Sequence, residues 1–95
     1  MFLTVLGRHG PYPRAGGACS GYLIEDGATR VLVDCGSGVL SRLLGILRAE
    51  ELDAIVLSHL HFDHCCDLFV MLYALDFQDV PEGREKVRVP LFTPA

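Results

Sequence analysis

The sequence has no C-x-x-C pair among its four cysteines, Cys19, Cys35, Cys65 and Cys66, which removes the usual start of a cysteine-built zinc finger. It also lacks a basic patch: the eight Lys and Arg residues are scattered, with one loose cluster from Arg84 to Arg88, and twelve acidic residues leave a net charge of −4. Extended nucleic-acid binding gets no support from that pattern. No apolar run is long enough to span a bilayer, and "MFLTVLG" lacks the basic start and long apolar stretch of a signal peptide. A soluble, cytoplasmic protein with no membrane partner is expected, with its thiols reduced and mostly buried. No linker, repeat or low-complexity tract marks a second unit, so residues 1–95 are taken as one domain or part of one.

Apolar surface, by contrast, is plentiful. Hydrophobic residues make up 51% of the chain, a heavy load for so small a body, and some of that surface is expected to face a partner or sequence absent from this chain. The partner is either a second copy or a complementary C-terminal half.

The pattern predicts strand, hairpin, helix, strand, helix, strand. "FLTVLG" is a short strand closed by glycine, and "ACSGYLIEDGATRVLVDCG" is a hairpin turning at Glu25-Asp26-Gly27-Ala28. Between them "GRHGPYPRAGGA" is a loop, because its glycines and prolines suit neither a helix nor an interior strand. Ser37 is placed to cap a helix in which Val39, Leu43 and Leu47 repeat every four residues. "AIVLS", Ala54 to Ser58, reads as a strand buried on both faces. A nearly all-apolar helix follows from Asp63 to about Asp76–Gln78, and Val87 to Phe92 offers a last, irregular strand interrupted by Pro90.

The chemistry is concentrated in "SHLHFDHCCDL", Ser58 to Leu68. In extended backbone His59 and His61 point to the same side just past the strand end, where they can offer two nitrogen ligands to one metal. Asp63 and His64 follow where the chain enters the helix, an oxygen and a nitrogen donor for a second cation close by. Any one of these residues could be ordinary surface or cap; the H-x-H-x-D-H spacing between a buried strand and a helix is what makes the set specific. Cys65 and Cys66 are expected to be core-facing thiols.

That spacing resembles the signature of the metallo-β-lactamase-fold hydrolases, present here as His59-Leu60-His61-Phe62-Asp63-His64. "VLVDCGSG" resembles the family's D-x-G segment, and "LGRHGPYPRAGGACSGYLIE" and "LDAIVLSHLHFDH" look most like its ribonuclease Z and phosphodiesterase branch. The resemblance implies an α/β fold, the N-terminal half of an αββα sandwich with a mixed sheet and helices on one face. It implies two divalent ions, zinc first with manganese or iron as alternatives, held by His59 and His61 and by Asp63 and His64. Asp34 would lie beneath the ligands as a hydrogen-bond acceptor. Asp63 would also orient or deprotonate the attacking water, giving hydrolysis of a phosphodiester-like, small-molecule or nucleotide-like substrate such as an RNA end. The alternatives are a thioester, lactone or β-lactam hydrolase on the same scaffold, or a non-catalytic pairing module. His9 and Ser20, in or beside the glycine-rich loop, are read as structural residues bordering the pocket.

The resemblance also implies a third histidine, a bridging aspartate and a last histidine, yet no histidine follows His64. Asp67 and Asp76 fall in the second helix and suit a first-turn acid and a solvated helix end. The 95 residues are therefore expected to hold half a site and to be inactive alone. Asp67 also stands just past the motif where ribonuclease Z-like members have glycine, a departure that weighs against tRNA processing proper.

Overall fold

The apolar run Phe2–Gly7 forms strand β1, which pairs antiparallel with β2, Gly21–Asp26. Gly27 and Ala28 turn the chain directly into β3, Thr29–Val33. Two parallel neighbours complete the sheet: β4, Ala54–Val56, beside β3, and β5, Leu91–Phe92, beside β4. The computed structural model describes residues 1–94, and their five-stranded mixed sheet runs in the order β1-β2-β3-β4-β5. This is the predicted α/β class, and the element order matches the sequence pattern.

Register decides which side chains meet. Thr4, Leu23, Leu32, Ile55 and Leu91 share one row across the strands. Leu23, Leu32 and Ile55 are buried there beneath helix α1, Val39–Leu44, and helix α2, Phe62–Asp76. Val39, Leu40 and Leu43 come down from α1, and Cys65 and Met71 from α2. Each large side chain sealed this way contributes on the order of 1.5–3 kcal/mol. The core therefore lies entirely between the helices and one face of the sheet.

The opposite face has the same character and, among the described residues, no helix over it. Val5, Tyr22, Val33, Val56 and Phe92 form one row on it, and Leu3, Ile24, Val31 and Ala54 the next. Neither row holds a charged residue, whereas a sheet with one solvated face alternates apolar with polar positions. A sheet apolar on both sides is one layer of a sandwich, as the fold class expects. No helix among the described residues is long and apolar enough to cross a membrane.

Three local expectations need correction. Ser37 does not cap α1: the N-cap is Gly38, which lends no side-chain bond, and the Asp67 carboxylate from α2 takes the Leu40 amide at 3.0 Å instead. The helix also stops at Leu44, with Gly45 as its C-cap, so Leu47 packs into the core from the loop beyond. The last strand is shorter than Val87 to Phe92, since Gln78 takes both the amide and the carbonyl of Val87 and Pro90 has no amide to give.

Candidate metal centre

The site lies where β4 gives way to α2. Leu57 is still buried and bonded to the Phe92 carbonyl, but Ser58 leaves the sheet, and His61 stands extended at the N-cap of α2 without a capping bond of its own. The short crossing brings three imidazoles together. The His59 ring lies 3.9 Å from that of His64, centroid to centroid, and 4.8 Å, edge on, from that of His61. Asp63 Oδ2 is 3.4 Å from His64 Nε2. The predicted residues thus lie side by side, although among the described residues no three His, Cys, Asp or Glu side chains converge at metal-holding spacing.

Asp34 organises this cluster from below. It follows the last residue of β3 with a φ of 63° and is only 4% exposed. Aspartate tolerates this left-handed backbone better than bulkier residues do. Its Oδ1 accepts the Ser58 amide at 2.8 Å, its Oδ2 accepts His64 Nδ1 at 2.8 Å, and the Ser58 hydroxyl lies 2.8 and 3.0 Å from its two oxygens. Burial, the strongest single influence, pushes the carboxyl pKa up, but the bonds from the Ser58 amide, His64 and the Ser58 hydroxyl outweigh it. The net effect holds Asp34 below the usual carboxylate value.

Counting protons through this network assigns the tautomers. An ionised Asp34 can only accept, so the single Ser58 hydroxyl proton goes to it. Ser58 Oγ is then left to accept from His59 Nδ1, 2.9 Å away. His59 and His64 both spend their Nδ1 protons on this network, which leaves each Nε2 lone pair free. Ser58 was not among the residues expected here; a hydroxyl residue immediately before H-x-H at a strand end was the available signal.

Two loops clamp the ligand-bearing end of α2. Cys35 donates its amide to the His64 carbonyl at 2.7 Å, and Ser20 donates its amide to the Asp63 carbonyl at 3.3 Å. The approach is so close that a Cβ on Gly36 would fall 2.1 Å from the Asp63 carbonyl oxygen, which accounts for the glycine of the D-x-G segment. Gly10 is under a similar constraint, since a Cβ there would stand 2.7 Å from Asp63 Oδ2. The loop from Arg8 to Arg14 accordingly borders the Asp63 carboxylate and lines a cavity of about 370 Å³. His9 uses Nδ1 to accept the Arg14 amide at 3.2 Å and Ser20 is buried by its backbone bonds, so both hold the loop in shape.

The cysteines stay out of this chemistry. All four are free, and Cys19, Cys35 and Cys65 are buried. Burial, with Asp67 next, pushes the Cys35 thiol up to about 12. Cys66 is only partly buried, and its thiol is also raised, again chiefly by burial.

The family model for the metallo-β-lactamase superfamily matches residues 14–90. The chain belongs to the metallo-β-lactamase superfamily. It is 51% identical over 74 residues to the Bacillus subtilis (strain 168) protein described as "Probable metallo-hydrolase YhfI", covering 78% of this chain and 30% of that protein. Ribonuclease Z of Mycolicibacterium gilvum (strain PYR-GCK) is 42% identical over 67 residues, covering 70% of this chain and 23% of the enzyme. The crystal structure of YhfI superposes with a TM-score of 0.85 at 41% identity, over 96% of this chain and 35% of that one. Human short-form tRNase Z gives 0.73 at 29% identity, over 81% and 30% respectively. This metallo-β-lactamase superfamily chain thus spans less than a third of the length of the curated relatives it matches.

The donor set suits the divalent ions that this superfamily generally binds. A metal-bound histidine usually gives its other ring N–H to a carboxylate or hydroxyl, as His64 does to Asp34 and His59 to Ser58. The freed His64 Nε2 then faces an Asp63 oxygen at 3.4 Å, a nitrogen and an oxygen donor side by side.

Proposed function

We propose that this chain contributes to the metal centre of a cytoplasmic metal-dependent hydrolase acting on phosphodiester-like substrates, with nucleotides or RNA ends as candidates. The observation that carries the proposal is the Asp34–Ser58 network, which fixes His59 and His64 with their Nε2 atoms free beside Asp63. The ribonuclease Z relatives favour a phosphodiester over other substrates.

His59 and His61 would hold one cation and Asp63 and His64 a second, zinc first, with manganese or iron as alternatives. Bound there, the ions would supply Lewis acidity toward phosphate oxygens and acidify a water molecule. The chain's own residues do the remaining work. Asp63 orients the attacking water and accepts its proton, while Asp34 holds the imidazoles so that they need not reorganise during the reaction. The loop from Arg8 to Arg14 borders the same carboxylate and forms one wall of the substrate site. The other ligands are assigned to the remainder of a longer protein or to an associated chain.

The test uses the intact protein loaded with zinc or manganese and offered bis-aryl phosphodiesters, RNA 3′ ends, thioesters and lactones. Phosphodiester cleavage is expected, with His61→Ala losing bound metal and turnover together. Turnover in that variant with metal still bound would refute the ligand assignment. A clear preference for thioesters or lactones would refute the substrate class alone.

A further inference from the structure

Arg42 lies on α1 off the buried face of Val39 and Leu43, where a charge turned to water would be unremarkable. Its guanidinium is spent on backbone instead. Nη1 donates to the Leu6 carbonyl at 2.7 Å and Nη2 to the Gly16 carbonyl at 2.6 Å. Arg30, Arg48 and Lys86 pair with carboxylates, whereas Arg42 bonds to none among the described residues.

The two carbonyls stand at opposite ends of one loop. In β1 Val5 pairs with Tyr22 and Gly7 with Gly21, so Leu6 is the extra residue of a bulge and has no partner in the ladder. Leu6 is only 3% exposed, and a carbonyl there needs a donor from elsewhere. Gly16, with a φ of 73°, turns the chain back toward β2. The guanidinium fork therefore joins the point where the chain leaves the sheet to the point where it returns.

We infer that Arg42 is a positioning residue for substrate binding, clamping the base of the Arg8–Arg14 loop so that its tip keeps a fixed place beside the Asp63 carboxylate. The inference rests on the hydrolase proposal. Among the described residues, Gly10 to Pro13 at the tip make no hydrogen bond of their own, and Pro11 and Pro13 have no amide to give. The base must hold the tip in place. Arg8 and His9 both donate their amides to the Ala18 carbonyl, Gly17 donates to Arg14, and the Arg14 amide donates to His9 Nδ1, all within the loop or its flank. Arg42 alone bonds the loop to a helix. The tip has little slack, since a Cβ on Gly10 would stand 2.7 Å from Asp63 Oδ2. A shift at the base therefore alters the space above a metal-site carboxylate. Lysine, a point charge without a planar fork, is no substitute for a group that spans two carbonyls.

Kinetics and proteolysis of the intact, zinc-loaded protein test the inference. With a bis-aryl phosphodiester as substrate, Arg42→Ala and Arg42→Lys are both expected to raise KM about 10-fold while kcat stays within about twofold, the pattern of lost uniform binding. Zinc content is expected to match the parent. Lysine keeps the charge and loses the fork, so a parent-like KM in Arg42→Lys overturns the inference in favour of simple charge attraction. Should Arg42→Ala fail to fold, Arg42→Lys decides. Trypsin reads the loop directly: cleavage after Arg14 is expected to be about 10-fold faster in Arg42→Lys, with cleavage after Arg84, between α2 and β5, at the parent rate. Equal rates after Arg14 in parent and variant refute the clamp, and so does faster cleavage at both sites, which would mark general loosening. An intact protein that cleaves no phosphodiester overturns the substrate role together with the hydrolase proposal, and the trypsin rates then judge the clamp alone.

Discussion

Replacing Asp34 with asparagine keeps the size of the side chain but puts an amide group where a carboxylate now accepts from Ser58 and His64. The amide nitrogen must then face one of these donors, and the ring orientations it enforced are lost. Metal affinity of the intact protein is expected to fall about 10- to 100-fold, the usual effect of removing a partner behind a ligand. Titration calorimetry with zinc, beside a circular dichroism spectrum showing that the fold persists, checks this. Cys35 makes a different prediction at the same scale. Its thiol is held up to about 12 by burial, against 9.0 for an ordinary cysteine. Between those values the unfolded chain releases this proton and the folded chain keeps it. The contribution is therefore intact below pH 9 and lost as pH rises toward 12, by about 1.4 kcal/mol per unit at the steepest. Denaturant midpoints measured across that range should slope less steeply in Cys35→Ala than in the parent.

At the scale of elements, the Asp67 bond to the Leu40 amide means that α1 is capped by another helix. Asp67→Ala is expected to cost about 0.5–2 kcal/mol, the usual range for a lost N-cap. A lowered melting temperature with metal content unchanged would show this. The same bond marks where sequence reasoning reaches its range. The hairpin at Gly27-Ala28 and the span of α2 were legible because each depends on neighbours a few residues away, whereas β4, expected to reach Ser58, ends at Val56. The α1 cap was not legible, because its acceptor lies 27 residues further along the chain. In β5 the apolar letters were present, but Gln78 competes for the backbone of Val87 and leaves two residues in the ladder. The site divides in the same way. The motif spacing located His59, His61, Asp63 and His64, and the D-x-G resemblance located Asp34. The Ser58 relay between them exists only once β3 and β4 lie side by side.

For the whole molecule, the fact to account for is a sheet that is apolar on both faces with helices on one. Taken alone, the 95-residue segment would present the Val5, Tyr22, Val33, Val56 and Phe92 row to water. It should bind a hydrophobic dye and associate as its concentration rises. Lysine at Val5 and Phe92, both on exposed positions of that row, should reduce both effects without unfolding the chain. A segment that neither binds dye nor associates would show the face to be less sticky than its composition implies. In a longer protein whose remaining chain packs on that face, the same two lysines are expected to destabilise.

The parallel pairing of β3 and β4 also has the properties of a checkpoint. Val33 sits opposite Val56, Asp34 continues the ladder by donating its amide to the Val56 carbonyl, and Ser58 then meets the Asp34 carboxylate. A slip of one residue would turn every β4 side chain to the other face and carry Ser58 out of reach. Misaligned strands and misoriented imidazoles are thus the same error. A molecule able to retain metal has, by that fact, already aligned its sheet.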